Sequence, residues 1–372
     1  MGISLGRRYA LGHPLAMNSF GHWIRLLRWG GGVDPRYYGR ALMVTCFSPL
    51  SAIARLHERI AFGKVIDAVR IQKDPVFIIG HWRSGTTHLH NLLCHDPQFG
   101  FVTTFQSQAP KAFLVGQGII RPIMAALMPR TRPMDNMPLG ADLPQEEEFC
   151  LSNSSMHSFY LYIFFPRCKD KSLFRKYILF DGVGEGEFEA WKREYLELVK
   201  KATFHMGGKQ LVLKNPCNTA RMEAVLRVFP AAKFIHIYRN PYVVYKSSLR
   251  LGEKLVAMLT FQDLDPKEVE RDALQYYADI MRRFFEVKER IPKGRLAEIR
   301  YEDLEDRPLA ELERIYAELD LAGWDAARGP IAKYLDTLQD YEKNRYQIDE
   351  ADRAKVKEHW GFAIKKLGYG EL

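Results

Sequence analysis

The sequence predicts an α/β fold, a parallel sheet flanked by helices and preceded by an N-terminal helical extension. Three observations predict it. Short apolar runs recur near residues 75, 211, 233 and 295, with helix-patterned stretches between them, the pattern of a mainly parallel sheet with its ligand site at the strands' carboxyl ends. The first run, Pro75-Val-Phe-Ile-Ile-Gly80, passes through a glycine-bounded loop into Leu89, Leu92 and Leu93 at helical spacing. The third, Lys233 to Tyr238, turns at Arg239-Asn240-Pro241 into another helix, with Asn240 as its cap and Pro241 at its first position.

Residues 1–70 form the helical extension, packed on or beside a core domain of residues 71–372. Asp34-Pro35 starts a helix, and the apolar stretch from Ala41 to Ala54 is broken by Pro49 and too short to span a bilayer. Leu42, Met43, Val44, Phe47 and Leu50 either pack on the core or meet lipid or a greasy acceptor, and amphipathic segments usually bury their apolar face against protein. A strand at about 75–80 leads to a helix at about 86–95, and a short apolar helix follows at Gly118–Met128. Pro144, in Asp142-Leu-Pro-Gln-Glu146-Glu147-Glu148-Phe149, looks like the first turn of a helix. An aromatic run from Phe159 to Phe165 precedes a helix at about 187–201, a strand at 211–214 and a helix at about 219–228. Beyond the third strand come helices over about 266–290, a strand at 295–299 and Tyr301-Glu-Asp-Leu304.

The chain has 372 residues, 47% hydrophobic and 27% charged, which describes an ordinary folded protein. Its charge of +9 (54 basic against 45 acidic residues) favours anionic ligands or an acidic membrane surface. No zinc-finger, RNA-recognition or basic-zipper pattern accompanies that charge, so no nucleic-acid partner is expected. Five scattered cysteines without a CxxC suit a reducing compartment. Arg7 and Arg8 are followed by no signal-peptide core, and Gly6 replaces the Ser or Thr of a myristoylation site. The expected location is the cytoplasm, with peripheral membrane contact left open.

Gly80-x4-Gly85-Thr86-Thr87 is close to a nucleotide-phosphate loop, so the sheet is P-loop-like. Its strand, inward-turned N–H groups and helix N-terminus cradle an anion. A nucleoside-triphosphate loop has lysine after the second glycine, where this chain has Thr86, and the loop's cation is Arg83. That composition suits a singly charged oxyanion better than γ-phosphoryl transfer with magnesium.

Arg83-Ser84-Gly85-Thr86-Thr87 after a strand, together with Tyr238-Arg239-Asn240-Pro241 and Ser247 eight residues beyond Arg239, resembles the sulfotransferases that use 3′-phosphoadenosine 5′-phosphosulfate. The resemblance covers about residues 74–308 and is to the bacterial-type and carbohydrate-type group. It implies that Arg83, Ser84, Gly85, Thr86 and Thr87 hold the 5′-phosphosulfate and that Arg239 and Ser247 grip the 3′-phosphate. By the same resemblance Lys214 contacts the sulfuryl group and Tyr301 lies beside the adenine or 3′-phosphate. Cytosolic members have lysine in place of Arg83, tryptophan in place of His88 and a histidine base in place of Pro216. The implied scheme needs a hydroxyl acceptor and no metal.

With that histidine missing, the base is sought in Glu146, Glu147 and Glu148, where adjacent like charges raise a carboxylate's pKa. The cluster also resembles an acidic motif of the bacterial-type group. Glu146 or Glu147 leads; a solvated helix start is the plainer reading. His157, His205 and His236 are weaker bases, and His88, His90, Cys94 and His95 on one short helix cannot converge on one ion. The aromatic run and the 119–128 stretch favour a lipid-like or aromatic acceptor. A P-loop nucleotide kinase and a non-catalytic nucleotide-binding, membrane-associated module are the competing readings.

Overall fold

Five strands, β1 (Val76–Ile79), β2 (Phe99–Gly100), β3 (Gln210–Lys214), β4 (Lys233–Tyr238) and β5 (Leu296–Arg300), form one sheet in the order β2-β3-β1-β4-β5, every pair parallel. The computed structural model describes residues 13–132, 137–338 and 346–370; the stretch with Gly6, Arg7 and Arg8 lies outside them. β1 sits in the middle and is buried throughout, which is why it is a run of four apolar residues without alternation. Its side chains still divide by parity. Phe77 and Ile79 join the core on one face of the sheet, Val76 and Ile78 the core on the other. From β1 the chain builds β2 and β3 on one side and then crosses to β4 and β5 on the other, and that switch opens a crevice at the carboxyl end of β1.

The principal helices are α1 (Phe20–Gly30), α2 (Tyr38–Ala68), α3 (Thr86–Leu93), α4 (Glu148–Ser154), α5 (Glu185–His205), α6 (Pro241–Leu259), α7 (Pro266–Val287) and α8 (Glu350–Lys366). α6 begins as its sequence requires, with the Asn240 side chain accepting from the Tyr242 amide at 3.0 Å and Pro241 in the first turn. The N-terminal helices meet the core through Leu15, Trp23, Leu26 and Val44, which pack with the aromatic run 159–165 and with Phe261. Polar ties reinforce this contact: Arg40 Nη2 donates to Ala257 O at 2.8 Å and Gln262 Nε2 to Gly30 O at 2.8 Å.

Three expectations about the elements need correction. Pro49 does not break the apolar stretch: α2 runs 31 residues through it, and its many anchors absorb a missing amide donor that costs about 3 kcal/mol. The helix expected near Pro144 begins at Glu148, because Pro144 bridges Thr103 and the Gln145 amide donates to Val102 O at 2.9 Å. The helix expected from Thr219 begins at Met222, after a tight turn in which the Asn215 side chain accepts from the Cys217 amide. β2, two residues long, carries no pattern to detect.

α2 is also inside out. Its buried face contains Arg40, Ser48, Ser51 and Glu58, while Leu42, Leu50, Ile53, Leu56 and Ile60 are exposed. Glu58 forms a buried ion pair with Lys201 of α5 and accepts from the Leu114 amide at 2.6 Å. The expectation that Leu42 and Leu50 bury against protein therefore fails, whereas Val44 does bury. Among the described residues no helix is long and apolar enough to cross a membrane.

Four buried histidines make the fold acid-sensitive. Burial pushes His13 and His90 down to about 3 and His22 and His81 down to about 4, so all are neutral at neutral pH. Their folded pKa values lie below the unfolded value, so the unfolded chain binds more protons. Stability is complete above about pH 6.5 and falls on acidification toward the folded values, by about 1.4 kcal/mol per histidine for each pH unit. The urea midpoint is expected to drop substantially between about pH 7.5 and about pH 5.5, and an unchanged midpoint would refute the neutral assignment.

Candidate active site

The loop after β1 is built by close approaches. Gly80 has φ 140°, and a Cβ there would stand 2.2 Å from the Ile237 carbonyl oxygen; Gly85 has φ 95°, and a Cβ would strike the Tyr301 ring at 2.2 Å. Arg83 also takes a left-handed conformation, φ 72°, a strained choice for a residue with a side chain. The loop is pinned by the Gly80 amide donating to Thr219 Oγ1 at 2.8 Å and the Ser84 amide to His81 O at 3.1 Å. α3 then starts at Thr86, so its first amides have no partner within the helix.

The second half of the predicted constellation comes to the same place. Ser247, on α6, accepts a hydrogen bond from Arg83 Nε at 2.8 Å and lies 3.0 Å from the Tyr346 hydroxyl. The Arg239 guanidinium sits 4.2 Å from the centroid of the Tyr301 ring. Tyr301 thus stands between Gly85 and Arg239. A cavity at the carboxyl ends of β1 and β4 is lined by Arg83, Gly85, Thr86, Thr87, Arg239 and Tyr301, with Leu304, Pro308, Leu335 and Leu338 as its apolar part. Ser84 is buried beneath the loop and does not line it.

The three glutamates diverge. Glu148 is fully buried and holds Arg221 Nη2 at 2.5 Å, Asn215 Nδ2 at 2.8 Å and the Ser158 hydroxyl at 2.7 Å. Glu147, equally buried, accepts from the Tyr195 hydroxyl at 2.7 Å and Asn218 Nδ2 at 3.2 Å, and burial pushes its carboxyl up. Neither side chain is exposed, so both lie in a polar layer under the site and not at a solvated helix start. Glu146 alone faces open space. Its side chain pairs with Lys214 Nζ at the end of β3 and accepts from the Tyr160 hydroxyl. Burial acts to raise the Glu146 pKa, but the Lys214 charge and the bonds from Lys214 and Tyr160 outweigh it and hold the carboxyl below its usual range. The expected upward push from neighbouring glutamates is therefore reversed. Burial lowers the Lys214 pKa, opposed by the Glu146 charge.

Glu146 lines a second cavity with Arg83, Thr86, Thr87, Arg132, Tyr160 and a largely apolar wall including Pro14, Met128, Leu139, Phe149 and Met258. The two cavities share Arg83, Thr86 and Thr87. A third, apolar cavity of about 140 Å³ lies beyond Trp82, Ile163, Leu251 and Leu255, which also border the second.

No pattern in the sequence marks Arg132, whose Nη1 donates to Thr87 Oγ1 at 3.3 Å, or Tyr160, one tyrosine in an aromatic run. His236 is core, with Nδ1 3.2 Å from Glu298, and His157 and His205 border neither cavity. His90 and His95 part company: His90 bonds the Val212 carbonyl and His95 stacks on Tyr334.

A model of the sulfotransferase family matches residues 75–326. The omega-hydroxy-beta-dihydromenaquinone-9 sulfotransferases Stf3 of Mycobacterium tuberculosis and Mycobacterium bovis are each 36% identical to this chain over 357 residues, 94% of it and 90% of theirs. Among solved structures, sulfotransferase STF9 from Mycobacterium avium superposes with a TM-score of 0.65 at 20% identity, covering 95% of this chain and 97% of that one. Sulfotransferase STF1 from Mycobacterium tuberculosis does so with a TM-score of 0.64 at 17% identity, covering 92% and 90%. These two bear on the fold, which they share. With a family match over most of its length and relatives similar along nearly all of it, the chain belongs to the sulfotransferase family.

Proposed function

We propose that the sulfuryl donor is 3′-phosphoadenosine 5′-phosphosulfate, that the acceptor is a hydroxyl on a long apolar molecule, and that Glu146 takes the acceptor's proton. Family membership makes the chain a transferase acting between a sulfuryl donor and a hydroxyl acceptor, and sets aside the kinase and the non-catalytic module. The observation that carries the proposal is the shared wall: Arg83, Thr86 and Thr87 border both the cavity lined by Arg239 and Tyr301 and the cavity that contains Glu146. A sulfur atom at that wall has a leaving phosphate on one side and an attacking hydroxyl on the other.

The loop amides, Ser84 through Thr87, and Arg83 hold the 5′-phosphosulfate. Arg239 and Ser247 hold the 3′-phosphate beside Tyr301, and the apolar part of the cavity receives the adenine. The acceptor oxygen forms its bond to sulfur as the bond from sulfur to the 5′-phosphate oxygen breaks, and the hydroxyl proton passes to the Glu146 carboxylate. The products are a sulfate ester and adenosine 3′,5′-bisphosphate. Protonation of Glu146 leaves the Lys214 charge uncompensated at the moment negative charge grows on the leaving phosphate, which Lys214 and Arg83 then stabilise.

The acceptor reading draws on the relatives, which are named for an omega-hydroxy menaquinone, and on the apolar walls of the second and third cavities. Peripheral contact with a membrane, where such an acceptor resides, belongs to the same reading.

Two outcomes test it. Adenosine 3′,5′-bisphosphate at about 100 times its Kd is expected to raise the Tm by about 3–4 °C, from roughly 2.7 kcal/mol of binding linkage. Mg-ATP is expected to give little shift, and Arg239→Ala and Ser247→Ala to weaken the bisphosphate effect; stabilisation by Mg-ATP alone would sink the donor assignment. Glu146→Gln, which still accepts from Lys214, is expected to lower kcat by about 10²–10⁴-fold while keeping the bisphosphate-induced shift. Glu147→Gln is expected to lower stability with kcat nearly unchanged, and the opposite ranking would move the base to Glu147.

A further inference from the structure

We propose that the outward face of α2, with the Ile120–Leu127 helix beside it, is the surface by which the enzyme lies on a membrane containing anionic lipid. The proposal rests on the lipid-borne acceptor above for its purpose and on the surface itself for its evidence. At about 100° per residue, Leu42, Leu50, Ile53, Leu56 and Ile60 fall on one side of α2, opposite the buried Arg40, Val44, Ser48, Ser51 and Glu58. Those five apolar residues are 64%, 65%, 76%, 61% and 75% exposed. A single exposed leucine is ordinary, but five in line along about 27 Å of helix are not.

The stripe continues sideways. Ile119 at the start of the Ile120–Leu127 helix and Ile123 and Leu127 on it are exposed (Ile119 73%, Ile123 57%), and Ile120 of that helix packs in one cluster with Ala54 of α2, Met17 and Met128. Glu58 ties the two pieces together by accepting from the Leu114 and Val115 amides. Met128, directly after Leu127, lines the cavity that contains Glu146. A hydroxyl carried on a lipid therefore has an apolar route from this face to the base.

The charge beside the stripe selects the occupant. From His13 to Ala68 the chain has three carboxylates: Asp34, which binds Arg167, Glu58, which is buried on Lys201, and Asp67, exposed in the last turn of α2. Arg25, Arg28, Arg59 and Lys64 are exposed in the same span. A cationic rim around an apolar stripe fits anionic headgroups over acyl chains. A second copy of this chain placed by a two-fold axis would set the same positive rim against itself.

Flotation of the full chain with phosphatidylcholine vesicles, with and without phosphatidylglycerol, tests the proposal. The chain is expected to float with the anionic vesicles. Combined Leu50→Glu, Ile53→Glu and Ile60→Glu substitutions are expected to cut that partition at least about tenfold while transfer to a short water-soluble alcohol is kept. Combined Arg25→Gln, Arg59→Gln and Lys64→Gln substitutions are expected to abolish only the preference for phosphatidylglycerol. Wild-type chain that stays unbound with both compositions would overturn the proposal. So would a dimer, seen by light scattering, that the glutamate variant dissociates, since the face would then belong to a second copy. Flotation needs no turnover, so its failure leaves donor and base standing, and a chain that floats but transfers nothing fails the other reading.

Discussion

A buried ammonium cannot stand alone, and the Lys214–Glu146 pair is the constraint from which the site follows. Lys214 closes the β3 strand with its side chain 2% exposed, where losing water costs several kcal/mol unless an anion compensates. Glu146 supplies the anion, and reaching it draws residues 144–148 across the carboxyl end of the sheet. With Glu146 committed there, the backbone turns Glu147 and Glu148 into the layer beneath, where Tyr195 and Asn218 bond one Glu147 oxygen and Asn215 and Arg221 bond Glu148. The pair explains why the base candidate is held below its usual range while burial pushes Glu147 up. A weak base suffices when the proton it receives becomes labile only as the oxygen–sulfur bond forms.

The other half of the site depends on contact rather than charge. Gly80 lies against Ile237 of β4, and Gly85 against Tyr301, so loop and sheet are one packed object. The strained Arg83 backbone is held from both sides, by the turn at Ser84 and by the side-chain bond to Ser247. Two cavities that meet at three residues are the result.

Much of this was legible in the sequence, and the remainder had physical reasons to be hidden. The apolar run at 76–79, the glycines at 80 and 85 and the Asn240-Pro241 helix start act locally, so pattern alone found them. Arg83, Arg239 and Tyr301 are picked out by resemblance and line one crevice, while Ser247 is buried behind it on Arg83. The choice between Glu146 and Glu147 was invisible, because adjacent residues separate only when the partners of each are known, and Lys214 lies 68 residues away. Arg132 and Tyr160 reach the site from segments with no periodicity to mark a function. α2 misled for another reason: its interior is held by ion pairs and hydroxyls, so the usual inference from apolar to buried ran backwards.

The Gly85–Tyr301–Arg239 contact has a consequence for turnover. With the proposed donor, the bisphosphate product keeps both phosphates that the crevice grips and loses only the sulfuryl group that projects toward Glu146. A cradle braced by ring and backbone packing spends little on rearranging, so it binds spent and fresh nucleotide by the same contacts. With that donor, the leaving nucleotide competes with its successor for the crevice.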